Sequence, residues 1–302
     1  MRRLLRLVGA CLCVFAVIAG AVVAFSQTDS EKKENKAVAL TLWQIDSFEG
    51  GKGSRAEYLQ SLANNYYEES GVYTEVTAVS ADAARANIES GNMPDIISYG
   101  SGFYGIESLV DGNNPSQVWC RGAYCLIALD GGDFTQANAE NTVINGGKDN
   151  LTSVAALFAG VSGADVLPPQ SAYVSLLDGQ YKFLLGTQRD IVRLMTRGVP
   201  FSVSPIEDFC DLFQNISVLS GGEKGVRGRE FVSYVQKNHL SLNRICMMYD
   251  GANLYDNALH QLENISFVYT VSPVISSEAL SRIKQCAVSG DINMLKTLLK
   301  PL

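Results

Sequence analysis

Two short polar clusters in this chain follow apolar runs, and their residue types suit the capture of a small molecule. Leu40-Thr41-Leu42-Trp43-Gln44 leads into Asp46 and Ser47, and Ile96-Ile97 leads into Ser98, Tyr99, Gly100 and Ser101. An aromatic face beside hydroxyl, amide and carboxylate groups can stack on a ring and bond its hydroxyls, chemistry that fits a polar, uncharged solute. Bond-breaking chemistry has thinner support. His239 and His260 have no acidic or nucleophilic companion nearby, and no Gly-x-Ser-x-Gly elbow occurs, so no enzyme is expected. Gly146-Gly147 and Gly221-Gly222 match neither phosphate-binding glycine spacing and read as turns. Outside the first residues, Cys120, Cys125, Cys210, Cys246 and Cys286 form no Cys-x-x-Cys pattern, so nothing calls for a metal or another cofactor. They read as buried small apolar residues; a Cys120–Cys125 bridge requires a turn at Gly122.

The elements that must position the two clusters are well signed. Ser54 and Glu57 form a capping box, Ala56, Leu59, Leu62, Ala63 and Tyr66 recur on one helical face, and Gly71 stops that helix. Val72 to Val79 reads as a strand. A second helix follows Ser80 as N-cap and ends at Gly91, with Pro94 beyond it, and Ile96 to Tyr99 is the third strand. The result is a β-α-β-α-β start to a mostly parallel sheet, in which ligands sit beyond the carboxyl ends of the strands. Asp95, just after Pro94, reads as structural, bonding loop amides.

The first residues carry an address. Arg2, Arg3 and Arg6 precede an unbroken apolar run from Leu7 to Phe25, the pattern of an export signal or anchor with its basic end inside. The run reaches the roughly 17–25 residues a spanning helix needs, which favours a retained anchor over residues 1–26. Cleavage after Val22-Val23-Ala24 or Ala24-Phe25-Ser26 is the competing outcome. Residues 27–36 are polar and read as a tether, and the body is expected on the extracytoplasmic face of the membrane. The formal charge of −7 becomes −10 without the three leader arginines, and an acidic body argues against a nucleic-acid partner.

The order of these segments resembles the N-terminal half of an extracellular solute-binding protein of family 1, the sugar-type receptors of ABC importers. The resemblance rests on Leu40-Thr41-Leu42-Trp43, the helix ending Tyr66-Tyr67-Glu68-Glu69-Ser70-Gly71, and Ser90-Gly91-Asn92-Met93-Pro94-Asp95-Ile96-Ile97. Further matches follow in order: Val118 to Leu129 is similar to the strand crossing into the second lobe, Leu177 to Gln188 to the Gly-Lys-x-Ala-Met-x-x-x-Gly-x-Trp segment, and Gly228 to Gln236 to a helix written Ala-x-x-Phe-x-x-Phe-Leu. Gln188 replaces the family's Trp, and the chain is short for the family, so the second lobe should be trimmed.

The resemblance implies an α/β, two-lobed periplasmic-binding-protein-like (type II) fold with hinge strands and a reduced second lobe. Lobe 1 would take residues 37–127 and a return segment near 216–240; lobe 2 would take 128–215 and the tail 241–302, with Ser276-Ser277 and Asp291 opening its helices. The implied ligand set is Trp43, Asp46, Tyr99 and Ser101 from lobe 1, with Tyr124, Gln188, Arg189 and Asp208 from lobe 2 and the crossings. Arg189 free in the cleft would suit an acidic ligand; Arg189 neutralised by Asp190 or Asp208 would suit a neutral one. The implied protein is a monomer that closes on a carbohydrate and passes it to ABC permease subunits. A membrane-tethered sensor or scaffold with a degenerate binding fold is the alternative, ahead of an exported hydrolase.

Overall fold

A computed structural model of the chain describes residues 39–46, 55–110, 114–129, 131–146, 151–238 and 257–302. The leader, the tether, Ser47, Ser54, His239, Cys246 and the side chains of Asp46 and His260 lie outside the described residues. Among the described residues no helix is long and apolar enough to cross a membrane.

The chain opens as its pattern predicts. Strand β1 (Ala39–Asp46), helix α1 (Arg55–Ser70), β2 (Tyr73–Ser80), α2 (Ala81–Glu89) and β3 (Ile96–Gly100) make two parallel pairings, β1 with β2 and β1 with β3. Helix α1 buries Leu59, Leu62, Ala63 and Tyr66, the i, i+3, i+4, i+7 stripe, and Gly71 leaves it with φ 72°, a conformation that costs glycine little. Ser80 accepts the Ala83 amide and so caps α2. Two later strands complete the sheet in the order β2-β1-β3-β10-β4: β10 (Phe213–Val218) lies antiparallel to β3, and β4 (Gln117–Arg121) antiparallel to β10. Leu40, Leu42, Ile96 and Ile216 on one face pack against α1 and against Phe231, Val232 and Val235 of α6 (Gly222–Lys237). The other face, with Ile45, Ile97 and Tyr99, packs on α2 and on Phe103 and Ile106.

Asp95 holds this lobe together more firmly than a loop bond would. Its carboxylate accepts from the Thr41 amide (2.9 Å) and hydroxyl (3.1 Å), from Ser220 Oγ, and from Lys224 Nζ at 2.9 Å. One side chain therefore ties β1, β3, the end of β10 and the start of α6.

The second sheet repeats the plan. Strand β6 (Thr142–Asn145), α3 (Thr152–Phe158), β7 (Asp165–Leu167), α4 (Pro169–Leu177) and β8 (Phe183–Thr187) give the order β7-β6-β8-β5-β9, with β5 (Tyr124–Leu129) and β9 (Phe201–Pro205) antiparallel at the far side. Each sheet thus carries five strands, and the strand order matches between them. The expected single crossing strand is two strands, because Gly122 and Ala123 break it between β4 and β5. The return crossing, residues 206–212, runs beside this break: Gly122 N donates to Leu212 O (2.7 Å) and Ile206 N to Tyr124 O (3.0 Å). A Cβ at Gly122 would sit 2.9 Å from the Gln188 amide and 3.0 Å from Leu212 Cβ, so the crossing depends on glycine here.

The tail contributes α7 (Asn257–Glu263), β11 (Tyr269–Thr270), α8 (Ser277–Ser289), α9 (Ile292–Leu298) and β12 (Lys300–Pro301). Ser276 and Asp291 cap α8 and α9, accepting from Ala279 N and Met294 N. Leu259, Leu262, Phe267, Ile283 and Leu295 join the core of the second sheet. The tail also reaches the first lobe: Gly102 N donates to Ser272 O (2.9 Å), Ile275 N to Phe103 O (3.1 Å), and Phe103 bridges Val274.

Candidate functional site

Where β1 and β3 end and α2 begins, the first sheet opens into a cavity of about 110 Å³. Ile45 of β1, Ala81 at the start of α2 and Gly100 to Tyr104 line it from the first lobe, and Leu280 and Lys284 of α8 line it from the tail. The glycines set this shape. Gly102 (φ 80°) turns the chain out of β3, and Gly105 (φ 92°) lets Arg85 lie close, since a Cβ there would fall 3.3 Å from Arg85 Cγ.

Arg85 lines the cavity with its charge held against aromatic rings. Its guanidinium lies over the Tyr104 ring, 4.1 Å from the centroid, with Phe103 at 5.6 Å, and it is salt-bridged to Asp82 one turn earlier. Asp82 is 96 % exposed against 15 % for Arg85, so the partner is solvated while the guanidinium is held by aromatic faces. Lys284 is exposed on α8. Ser101 Oγ accepts from Asn215 Nδ2 at 3.2 Å. Among the described residues, no carboxylate side chain lines the cavity.

The predicted ligand set divides between this cavity and the interior. Ser101 lines the cavity. Trp43 is half-buried and packs against the α2 face of the sheet. The Asp46 side chain lies outside the described residues. Tyr99 is fully buried; its hydroxyl bonds Ser116 and Ser217, both at 3.0 Å, and burial raises its pKa. Tyr124 is buried at the crossing and donates to Asp211 Oδ1 (2.8 Å). Gln188 is buried too, with Oε1 accepting the Ala123 amide at 3.0 Å. These three present no surface to a solute. Gln188 and Tyr124 instead bond groups of the crossings, Ala123 N and Asp211, while Tyr99 joins two serine hydroxyls inside the first lobe. Asp208 is exposed on the return crossing, where its carbonyl accepts from Tyr269 N. Arg189 is half-buried on α5 (Gln188–Thr196) in the second lobe.

Asp190 is a capping residue that also feels the charge of Arg189. Thr187 and Asp190 make the capping box of α5: Asp190 Oδ2 accepts from Thr187 N (3.1 Å) and from Asn145 Nδ2 (2.8 Å), and Arg193 stands 3.6 Å from Oδ1. Burial raises its pKa in spite of these bonds. Asp211, at the return crossing, is raised for the same reason while accepting from Leu151 N (2.6 Å) and Tyr124. Cys120, Cys125 and Cys210 are buried and unbridged, and burial pushes the Cys210 thiol up, so it stays protonated.

Arg85, Phe103, Tyr104, Leu280 and Lys284 were missed by residue type and spacing. A signal for Arg85 existed: it stands at i+4 from Ala81 on the face of α2 that also buries Ala84, and so points along the sheet towards the strand ends. Lys284 had none, since only the packing of the tail brings α8 to the first lobe.

No family model and no curated protein matches this chain. Solved structures that resemble it include a two-component system protein mediating signal transduction (13% identity, TM-score 0.48, covering 66% of this chain and 81% of that one). They also include a protein described as the substrate-binding domain of a molybdenum ABC transporter from Clostridium difficile (11%, 0.47, 70% and 97%) and the reduced regulatory domain of OxyR2 from Vibrio vulnificus (9%, 0.44, 68% and 97%). The two-lobed reading of the fold rests on the strand order of the two sheets and their paired crossings.

Proposed function

We propose that this chain is an extracytoplasmic solute receptor, tethered by its N-terminal segment, that captures a carbohydrate-like solute and delivers it as a monomer to an ABC permease. One observation carries the reading. The cavity lies beyond the carboxyl ends of the first parallel strands, the place where sheets of this order take ligands, and the two crossings between the sheets would act as the hinge. The Tyr104 ring and the hydroxyl of Ser101, both lining the cavity, supply the stacking and bonding a sugar uses. The sequence resemblance supplies the carbohydrate and the permease.

A thermal-shift screen of the full chain in detergent against mono- and oligosaccharides, polyols and sugar acids tests this. A true ligand at a hundredfold excess over its dissociation constant adds about 2.7 kcal/mol to stability, a clear rise in midpoint. Product formation, or a flat response to every compound, would sink the receptor reading. The tail favours a second reading, in which the chain senses a solute without delivering it. Bonds from Ser272 and Ile275 to the 101–104 loop tie the tail to the first lobe while α8 packs on the second, which resists the opening that delivery needs. Solute uptake lost on deletion of the gene favours delivery; intact uptake with an altered transcriptional response favours sensing.

A further inference from the structure

The two walls of the cavity come from distant parts of the chain, and each brings a cation. Arg85 stands on α2 with its guanidinium steadied by Tyr104 and Phe103. Lys284 stands on α8, held in place by Ile283 and Ala287, which are buried in the second-sheet core, and by Leu280, whose Cδ1 lies 3.8 Å from where a Cβ on Gly102 would be. Among the described residues, Asp82 and Asp211 each act on one of these cations, and neither lines the cavity. Asp82 pairs with Arg85 from solvent, where such pairs are weak. Asp211, the carboxyl that acts on Lys284 electrostatically, is buried and spends its oxygens on Tyr124 and Leu151.

We propose that the solute carries an oxyanion, either the carboxylate of a sugar acid or a sulfate or phosphate group, and that Arg85 and Lys284 grip it from opposite walls. The planar fork of Arg85 can donate two bonds to such a group, and Lys284 adds a point charge from the tail. The inference rests on the receptor reading and narrows its substrate class. It also makes the C-terminal tail part of the binding site, because solute bound to both cations links α8 to the first lobe.

The test is isothermal titration of the full chain with glucuronate, glucose, inorganic sulfate and inorganic phosphate, repeated for Lys284→Gln, Arg85→Lys and Arg282→Gln. Arg282 is an exposed cation on the same helix that does not line the cavity. Glucuronate should bind and glucose should not. Lys284→Gln and Arg85→Lys should each weaken binding roughly tenfold or more, the scale of one charge-assisted bond, while Arg282→Gln leaves it unchanged. Sulfate or phosphate binding with the same dependence on Lys284 upholds the oxyanion site and assigns it to an inorganic or ester group. Glucose binding as tightly as glucuronate overturns the inference and leaves the receptor standing. Equal losses in all three variants reduce the effect to general electrostatic attraction and also overturn it. Silence from all four probes, with no hit among neutral sugars, removes the receptor reading as well.

Discussion

The two sheets follow one plan and differ at corresponding strand ends. In the first, β3 leaves through Gly100 and Ser101 into a loop turned by Gly102, and the space beyond β1 and β3 stays open beside the start of α2. In the second, β8 passes from Thr187 directly into α5, and the corresponding space is filled by Asp190, bonded to Thr187 and to Asn145 at the end of β6. Gly186 makes room for that carboxylate, since a Cβ there would lie 2.6 Å from Asp190 Oδ2. Strand order provides a crevice twice. Whether the crevice becomes a site or a plug depends on how soon the next helix begins and on what its first turn places there.

Removing the support of one lobe should show how far the two are coupled. Trp43 and Trp119 both belong to the first sheet, so tryptophan emission reports that lobe. Phe231→Ala should lower its stability by about 3–5 kcal/mol in urea titrations followed by emission. Leu184→Ala, in the second core, should cost about 2–5 kcal/mol by hydrogen exchange at β5 and β8. If Leu184→Ala shifts the emission curve equally, the lobes unfold as one unit. Crowding the filled crevice comes next: Gly186→Ala should cost about 1–3 kcal/mol, because Asp190 must leave its bonds, and the double variant Gly186→Ala, Asp190→Ala should cost less than the sum.

Acid titration should separate the lobes by sign. Burial would raise Asp95, but bonds from Ser220, Thr41 and Lys224 outweigh it and hold the carboxyl below its ordinary value. Its contribution is therefore present above the unfolded value of about 3.9 and lost as pH falls through the lower folded value. At Asp190 burial wins, so the folded carboxyl titrates higher than the unfolded one. The stabilisation it gives belongs to acid pH and is lost as pH rises from about 4 through the raised value. Asp95→Asn should flatten the acid limb for the first lobe, and Asp190→Asn should reduce the opposite slope, to which buried Asp211 also contributes, both read as urea midpoints from about pH 3 to 7. The smallest effects should come from the caps. Ser80→Ala should cost about 1 kcal/mol, and Thr187→Ala somewhat more, since Thr187 is half of a reciprocal pair.

Much of the first lobe was legible in advance. The α1 stripe, the Ser80 cap, the Gly71 stop and the parallel β1-β2-β3 start follow from periodicity and from bonds within one turn. So do the caps at Ser276 and Asp291. Asp95 was legible as structural, though its bond to Lys224 was not. The expected ligand residues fall in different places. Ser101 lines the cavity, whereas Tyr99, Tyr124 and Gln188 are consumed by internal bonds, and the cations that face the cavity were unnamed.

The sequence by itself determined the opening helices, strands and caps and the starts of the tail helices, because forces between residues one to four positions apart suffice to set them. Only the tertiary structure decided which polar residues met water and which met each other, since that depends on how crossings and tail pack across the whole chain. Arg85 and Lys284 share a cavity because α2 sits on the first sheet and α8 on the second, a juxtaposition that no local pattern encodes.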